Sequence, residues 1–175
     1  MSFDHLLVIL LFPVAIAFGV AFFLLLRRRA SYREYDERQR LARGKAYQAA
    51  FWTLAAYSLF SALMNDVADI QWADVTTGTF MGLFLAIAVF AIICIITDSF
   101  FSFKDRPSPY FTLLLIIIVA NLLIFFLNLA DGTPMVTDGL LNIHSLNVLA
   151  VAAFIPIYAT LVAKHLYDKK HAETE

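Results

Sequence analysis

Five stretches without a single Asp, Glu, Lys or Arg divide this chain: residues 6–26, 46–64, 79–97, 110–130 and 140–163. Crossing the hydrocarbon core of a bilayer as helix takes roughly 20 residues, and all five come close to or exceed that length. Backbone N–H and C=O groups in lipid have no water to bond, so each stretch is expected to be a helix. The fold class expected is therefore an all-α membrane protein, a bundle of five transmembrane helices in a single membrane domain over residues 1–175. With 61% hydrophobic residues against 15% charged, the chain lacks the polar surface of an ordinary soluble domain of its length. Pro13 and Pro156 fall inside the first and fifth stretches, where each removes a backbone donor and predicts a local kink. Cys94, the only cysteine, lies inside an apolar run and reads as a small buried hydrophobe.

The charges between these stretches are sorted. All 13 Lys and Arg residues fall in three segments, residues 27–45, 98–109 and 164–175. The remaining polar segments hold none and carry Asp4, Asp66, Asp69, Asp74, Asp131 and Asp138 instead. Basic residues flanking spans stay preferentially in the cytoplasm. That rule predicts an N-terminus outside, a C-terminus in the cytoplasm, and a plasma-membrane protein with its Asp-rich loops facing out. Asp4 and His5 precede the first apolar stretch where a cleavable signal peptide would carry bases, so that stretch is expected to act as an anchor.

The basic residues are also unevenly shared. Eight of the 13 (Arg27, Arg28, Arg29, Arg33, Arg38, Arg40, Arg43 and Lys45) lie in residues 27–45, together with only three acids, Glu34, Asp36 and Glu37. Glu34 and Arg38 are four apart, as are Asp36 and Arg40, a spacing that supports an exposed helix through ion pairs. Gly44 offers a break before the second span. A net-basic helix beside a span attracts anionic lipid headgroups, and it also offers a docking surface for a cytoplasmic protein or a neighbouring membrane subunit.

Asp36-Glu37-Arg38-Gln39, followed by Ala42-Arg43-Gly44-Lys45-Ala46-Tyr47 and Phe51, resembles a run in small uncharacterised multi-pass membrane proteins of Gram-positive bacteria. The resemblance is confined to residues 36–51. It implies a bacterial plasma membrane, and it implies no activity and no catalytic residue.

Polar residues within the apolar stretches form a second candidate set. His144 and Asn147 in the fifth, and Asn121 and Asn128 in the fourth, are expected to turn toward the bundle, as helix contacts or as the lining of a polar pathway. A third set is Gly78, Gly82 and Ala86, spaced four apart, which lets helices approach closely. Among the outer acids, Asp131-Gly132 and Asp138-Gly139 read as turns, with Asp138 as a cap for the fifth span. Asp66, Asp69 and Asp74 offer the oxygens a hard divalent cation takes, but they match no EF-hand spacing and read first as solvating loop residues. No metal site and no cofactor is therefore expected, and no zinc, nucleophile-elbow or Walker signature is present. Basic residues pressed against a membrane do not point to nucleic acid.

The leading functional expectation is a non-enzymatic accessory or regulatory membrane protein. It acts through helix contacts and the basic segment, as a homo-oligomer or as a subunit of a larger membrane complex. A small transporter or channel-like protein with a pathway around His144 is the alternative. Resistance to a membrane-active peptide or antibiotic is the third.

Overall fold

The computed structural model describes residues 35–102 and 108–172. The chain divides into two compact units, and the one made of Asp36–Phe101 with Asp105–Glu175 holds every element below. The other, Met1–Tyr35 with Ser102–Lys104, lies almost wholly outside the described residues, as do the first expected span and Arg27, Arg28, Arg29 and Arg33.

The described residues form four long helices: α1 (Glu37–Asp66), α2 (Val75–Ile96), α3 (Ser108–Ala130) and α4 (Leu146–Ala172). Between α3 and α4 come two short strands, β1 (Val136–Thr137) and β2 (Leu140–Leu141), and a 3-10 turn at Ile143–Ser145. α1 packs on α2, α2 on α4, and α4 on α3, so the helices stand in a row in the order α1, α2, α4, α3. The core sits in the middle of that row, where Ala88, Ala91 and Ile95 of α2 meet Ile157 and Leu161 of α4. Phe111 and Leu114 of α3 close it from one side. Cys94 is fully buried beside it.

Among the described residues, three helical stretches are long and apolar enough to cross a bilayer: Val75–Ile96, Pro109–Ala130 and Ile143–His171. Within them, the most apolar 18-residue windows have mean hydropathies of 2.9, 2.8 and 2.1, which points to a membrane protein. α3 keeps only Ile118 buried and exposes Leu113, Ile116, Leu123, Phe126 and others. Acyl chains are as apolar as these side chains, so such exposure costs nothing in lipid.

The structure departs from the sequence-based expectation in three places. The expected second span is helical but belongs to a longer helix, and α1 is not among the three apolar stretches. Gln48, Thr53, Tyr57, Ser58 and Ser61 dilute it, and its first turns carry Glu37, Arg38, Arg40, Arg43 and Lys45. Gly44 does not break it: α1 runs straight through, and a side chain there would meet open space. The fifth span, expected over residues 140–163, is shifted along the chain. Leu140 and Leu141 are strand, Ile143–Ser145 is a 3-10 turn, and α4 begins at Leu146 and passes Ala163 to end at Ala172.

The reason lies in Asp138-Gly139. Both residues have positive φ, 52° and 80°. Two such residues in succession make the hairpin turn whose twist suits the flanking strands. β1 and β2 pair antiparallel across it, Val136 with Leu141 and Thr137 with Leu140. Asp138 is thus a turn residue and caps no helix. The cap role passes to Asn142, whose side chain accepts from the backbone N–H of His144 and donates to Pro134 O and Thr137 Oγ1.

Candidate functional site

Each end of the α1–α2 pair holds a cluster of polar contacts. At the Lys/Arg-rich end, α1 starts with Asp36 in extended conformation, its carboxylate accepting from Gln39 N. Such a cap satisfies one of the orphan donors of the first turn. The expected Asp36–Arg40 ion pair does not form, because the carboxylate is engaged in the cap. The partner of the expected Glu34–Arg38 pair lies outside the described residues.

One face of α1 then reaches across to the C-terminal turn of α2. Gln39 Nε2 donates to Asp98 O at 2.7 Å and Phe101 O at 3.3 Å. One helical turn on, Arg43 Nη1 donates to Ser99 O at 3.0 Å. The guanidinium carbon of Arg43 stands 5.6 Å from the centroid of Phe90, and Tyr47, a further turn along, stacks on that ring at 4.5 Å. Gln39, Arg43 and Tyr47 recur every four residues, which places them one above another on the face toward α2.

The turn they hold has a definite shape. Asp98 has φ 55°, in the left-handed region, and Ser99 N and Asp98 N donate to Cys94 O and Ile95 O. That is the Schellman ending, most often built with glycine at the left-handed position. Asp occupies it here, and its carboxylate lies 3.1 Å from Lys164 Nζ of α4, which also pairs with Asp168 at 2.8 Å. The α2 turn is therefore gripped from α1 through its carbonyls and from α4 through its side chain.

Two substitutions separate these contributions. Asp98→Asn removes only a half-exposed ion pair and keeps a residue that tolerates positive φ. Its expected cost is at most about 1 kcal/mol. Asp98→Val forces a β-branched residue into the left-handed region, for an expected loss of about 1–2 kcal/mol. Thermal unfolding of the two variants in detergent checks the order.

Arg38, Arg40 and Lys45 behave differently from Arg43. All three are exposed and make no ion pair or hydrogen bond with any described side chain. Arg38 and Lys45, with Leu41, Ala42, Ile93 and Ile96, line an open hollow of about 900 Å³ between the start of α1 and the end of α2.

At the Asp-rich end, Gly82 carries the close helix contact. A Cβ placed there would lie 2.6 Å from Tyr57 Cε1 and closer still to Tyr57 Cδ1. Tyr57 is held in place because its hydroxyl donates to Gly78 O at 2.7 Å. Gly78 itself is looser, with the Tyr57 hydroxyl 3.8 Å from a Cβ built there. Ala86 is buried one turn further along α2. The close approach is thus within one chain, between α1 and α2.

A backbone clasp sits above it. Leu141 N donates to Trp72 O at 3.1 Å, and Asp74 N donates to Leu141 O at 2.8 Å. The hairpin β1–β2 thereby holds the segment leading into α2. Asp74 caps α2 by accepting from Thr77 N, and that hydrogen bond holds its carboxyl below the usual carboxylate range.

The residues of the polar set lie apart from both clusters. His144 is exposed in the 3-10 turn and does not turn toward the bundle from within a spanning helix as expected, and Asn147 is half-buried in the first turn of α4. Asn121 Nδ2 donates to Ile117 O in its own helix. Asn128 is half-buried two turns further along α3. No hydrogen bond joins any two of these four, and none of them lines the hollow between the start of α1 and the end of α2. Conversely, Gln39, Tyr57, Trp72 and Lys164 make contacts that the sequence patterns do not single out. The available signal for Gln39 and Tyr57 is their 18-residue separation, five helical turns, which puts both on the face of Arg43.

No group of three His, Cys, Asp or Glu able to hold a metal ion occurs among the described residues. Comparisons of the chain with protein-family models, with curated proteins and with solved structures found no match.

Proposed function

We propose that this chain is a non-enzymatic accessory or regulatory integral membrane protein of a bacterial plasma membrane. It crosses the bilayer five times, with the N-terminus outside and the C-terminus in the cytoplasm. It works through its basic cytoplasmic segment, which touches anionic lipid headgroups and a partner: a neighbouring membrane subunit or a second copy of the chain.

One observation supports this reading above the others. Gln39 and Arg43 on α1 are committed to the α2 turn, while Arg38, Arg40 and Lys45 on the same helix are exposed and unpaired among the described residues. Three cations held on a rigid, capped helix favour contact with something outside the chain. Beside anionic lipid, each is worth about 1 kcal/mol.

Leu41 stands among these cations and is 65% exposed. A bifunctional thiol crosslinker applied to Leu41→Cys in intact membranes is expected to give one discrete adduct heavier than the monomer. Cys94 is fully buried and should not compete. Recovery of monomer alone, over a range of linker lengths, contradicts the reading.

A further inference from the structure

Between the end of α1, the segment before α2 and strand β2 lies a hollow of about 390 Å³. Its walls include Tyr57, Ser61, Asn65, Gln71, Trp72 and Asp74. We infer that this hollow is a binding site for an organic ammonium group.

The walls are fixed before any ligand arrives. Tyr57 is tied to Gly78 O, and Trp72 and Asp74 are tied through their backbones to Leu141. The rings of Tyr57 and Trp72 meet edge to face, centroids 6.1 Å apart at 88°, and form an aromatic corner. Ser61 and Asn65 lie one and two turns beyond Tyr57 on α1. Their side chains and that of Gln71 hydrogen-bond to no described residue. The hollow therefore offers a π corner, three uncommitted polar side chains and one carboxylate, on a rigid frame.

Charge selects the ligand class. No Lys or Arg lines the hollow. Asp74 is ionised at neutral pH, because Thr77 N holds its carboxyl below the usual range. Asp66, the last residue of α1, and Asp69, in the segment before α2, add negative charge nearby, which repels anions and concentrates cations. A Ca2+ ion takes about six to eight oxygen ligands, commonly with several carboxylates, and a single carboxylate already engaged in a helix cap is a poor match. The N-terminus of α2 also draws on the charge of Asp74 through the cap, so the carboxylate cannot hold a strongly hydrated ion by itself. A substituted ammonium suits the remaining chemistry. Its diffuse charge rests on aromatic faces, and its N–H or N–CH3 groups meet the neutral oxygens. The group can come from a free amine or from the headgroup of a lipid.

Trp52 and Trp72 are the two tryptophans, so Trp52→Phe leaves Trp72 as a reporter inside the hollow. That full-length chain, in nanodiscs of phosphatidylglycerol, is titrated with tetramethylammonium chloride while its emission is followed. A saturable change is expected, absent with sodium chloride at the same ionic strength. Asp74→Asn keeps the capping oxygen and removes the charge, so it should weaken binding at least tenfold. Asn65→Leu should weaken it severalfold. In phosphatidylethanolamine discs a midpoint raised several-fold marks the lipid headgroup as the resident ligand, and an unchanged midpoint marks a free amine. Both outcomes support the site. An equal saturable response to uncharged neopentyl alcohol, or undiminished binding by Asp74→Asn, or no saturable change, overturns it. If Asp74→Asn does not fold, saturation-transfer NMR on the unaltered chain decides instead: contact with tetramethylammonium and none with neopentyl alcohol supports the site, and equal contact with both overturns it.

Discussion

Gly82→Ala is expected to weaken the α1–α2 contact by about 1–3 kcal/mol, the usual range for overpacking a tight interface. An added methyl group also favours helix, by about 1 kcal/mol in an exposed site. The steric effect prevails here because the obstacle cannot move aside. Tyr57 Cε1 would lie 2.6 Å from the new Cβ, and the ring's hydroxyl is anchored on Gly78 O one turn away. Gly78→Ala is the control: its Cβ meets only an ordinary contact at 3.8 Å, so little change is expected. In a double-variant cycle, adding Gly82→Ala to Tyr57→Ala should cost far less than in the parent, since the ring is gone and only the end of Leu54, its Cδ1 3.3 Å from the new Cβ, stays close. Reversible unfolding in bicelles gives all four free energies. A full additional penalty in the double variant contradicts the packing described.

Arg43→Ala carries the second large expectation. It takes the charged donor from Ser99 O in a part-buried turn and removes the cation from Phe90. Hydrogen bonds to charged groups contribute about 1.5–3 kcal/mol, so a loss in that range is expected. Gln39→Ala removes neutral bonds and should cost nearer to about 1 kcal/mol. Arg43→Lys should recover only part of the loss, because a lysine has no planar fork to span ring and carbonyl. By contrast Arg38→Ala, Arg40→Ala and Lys45→Ala should each stay within about 0.5 kcal/mol of the parent, as exposed substitutions usually do. Thermal or chaotrope midpoints of these variants test the ranking. Equal losses across all the alanine variants contradict the division of α1 into a face bound to α2 and a free face.

That division explains what can and cannot be read from the sequence. α2 and α3 follow their apolar runs closely, because an uncharged stretch of that length leaves few alternatives to a spanning helix. The start of α4 is obscured because Leu140 and Leu141 continue the hydropathy of the run that follows. Hydropathy does not distinguish strand from helix over two residues, and the Asp138-Gly139 pair is the better guide. His144 reads as helical for the same reason, although it belongs to the turn before the helix. Gly44 reads as a break in α1, yet a helix tolerates an exposed glycine. Most of all, Arg43 and Arg40 are indistinguishable by composition. Only the position of the α2 turn decides that one is a structural contact and the other is not, and that position depends on the Schellman ending at Asp98. The close contact at Gly82 is visible as spacing, but its partner is not, since nothing local to α2 names Tyr57.

The most direct measurement joins the two faces of α1 in one protein. Leu41→Cys is crosslinked in intact membranes in two backgrounds, the parent and one carrying Arg38→Ala, Arg40→Ala and Lys45→Ala. If the free face of α1 carries the function, a discrete adduct forms in the parent and disappears in the triple variant, whose unfolding midpoint stays nearly unchanged. An adduct of equal yield in both backgrounds contradicts that role for the free face, and a triple variant that no longer folds contradicts the claim that this face is free.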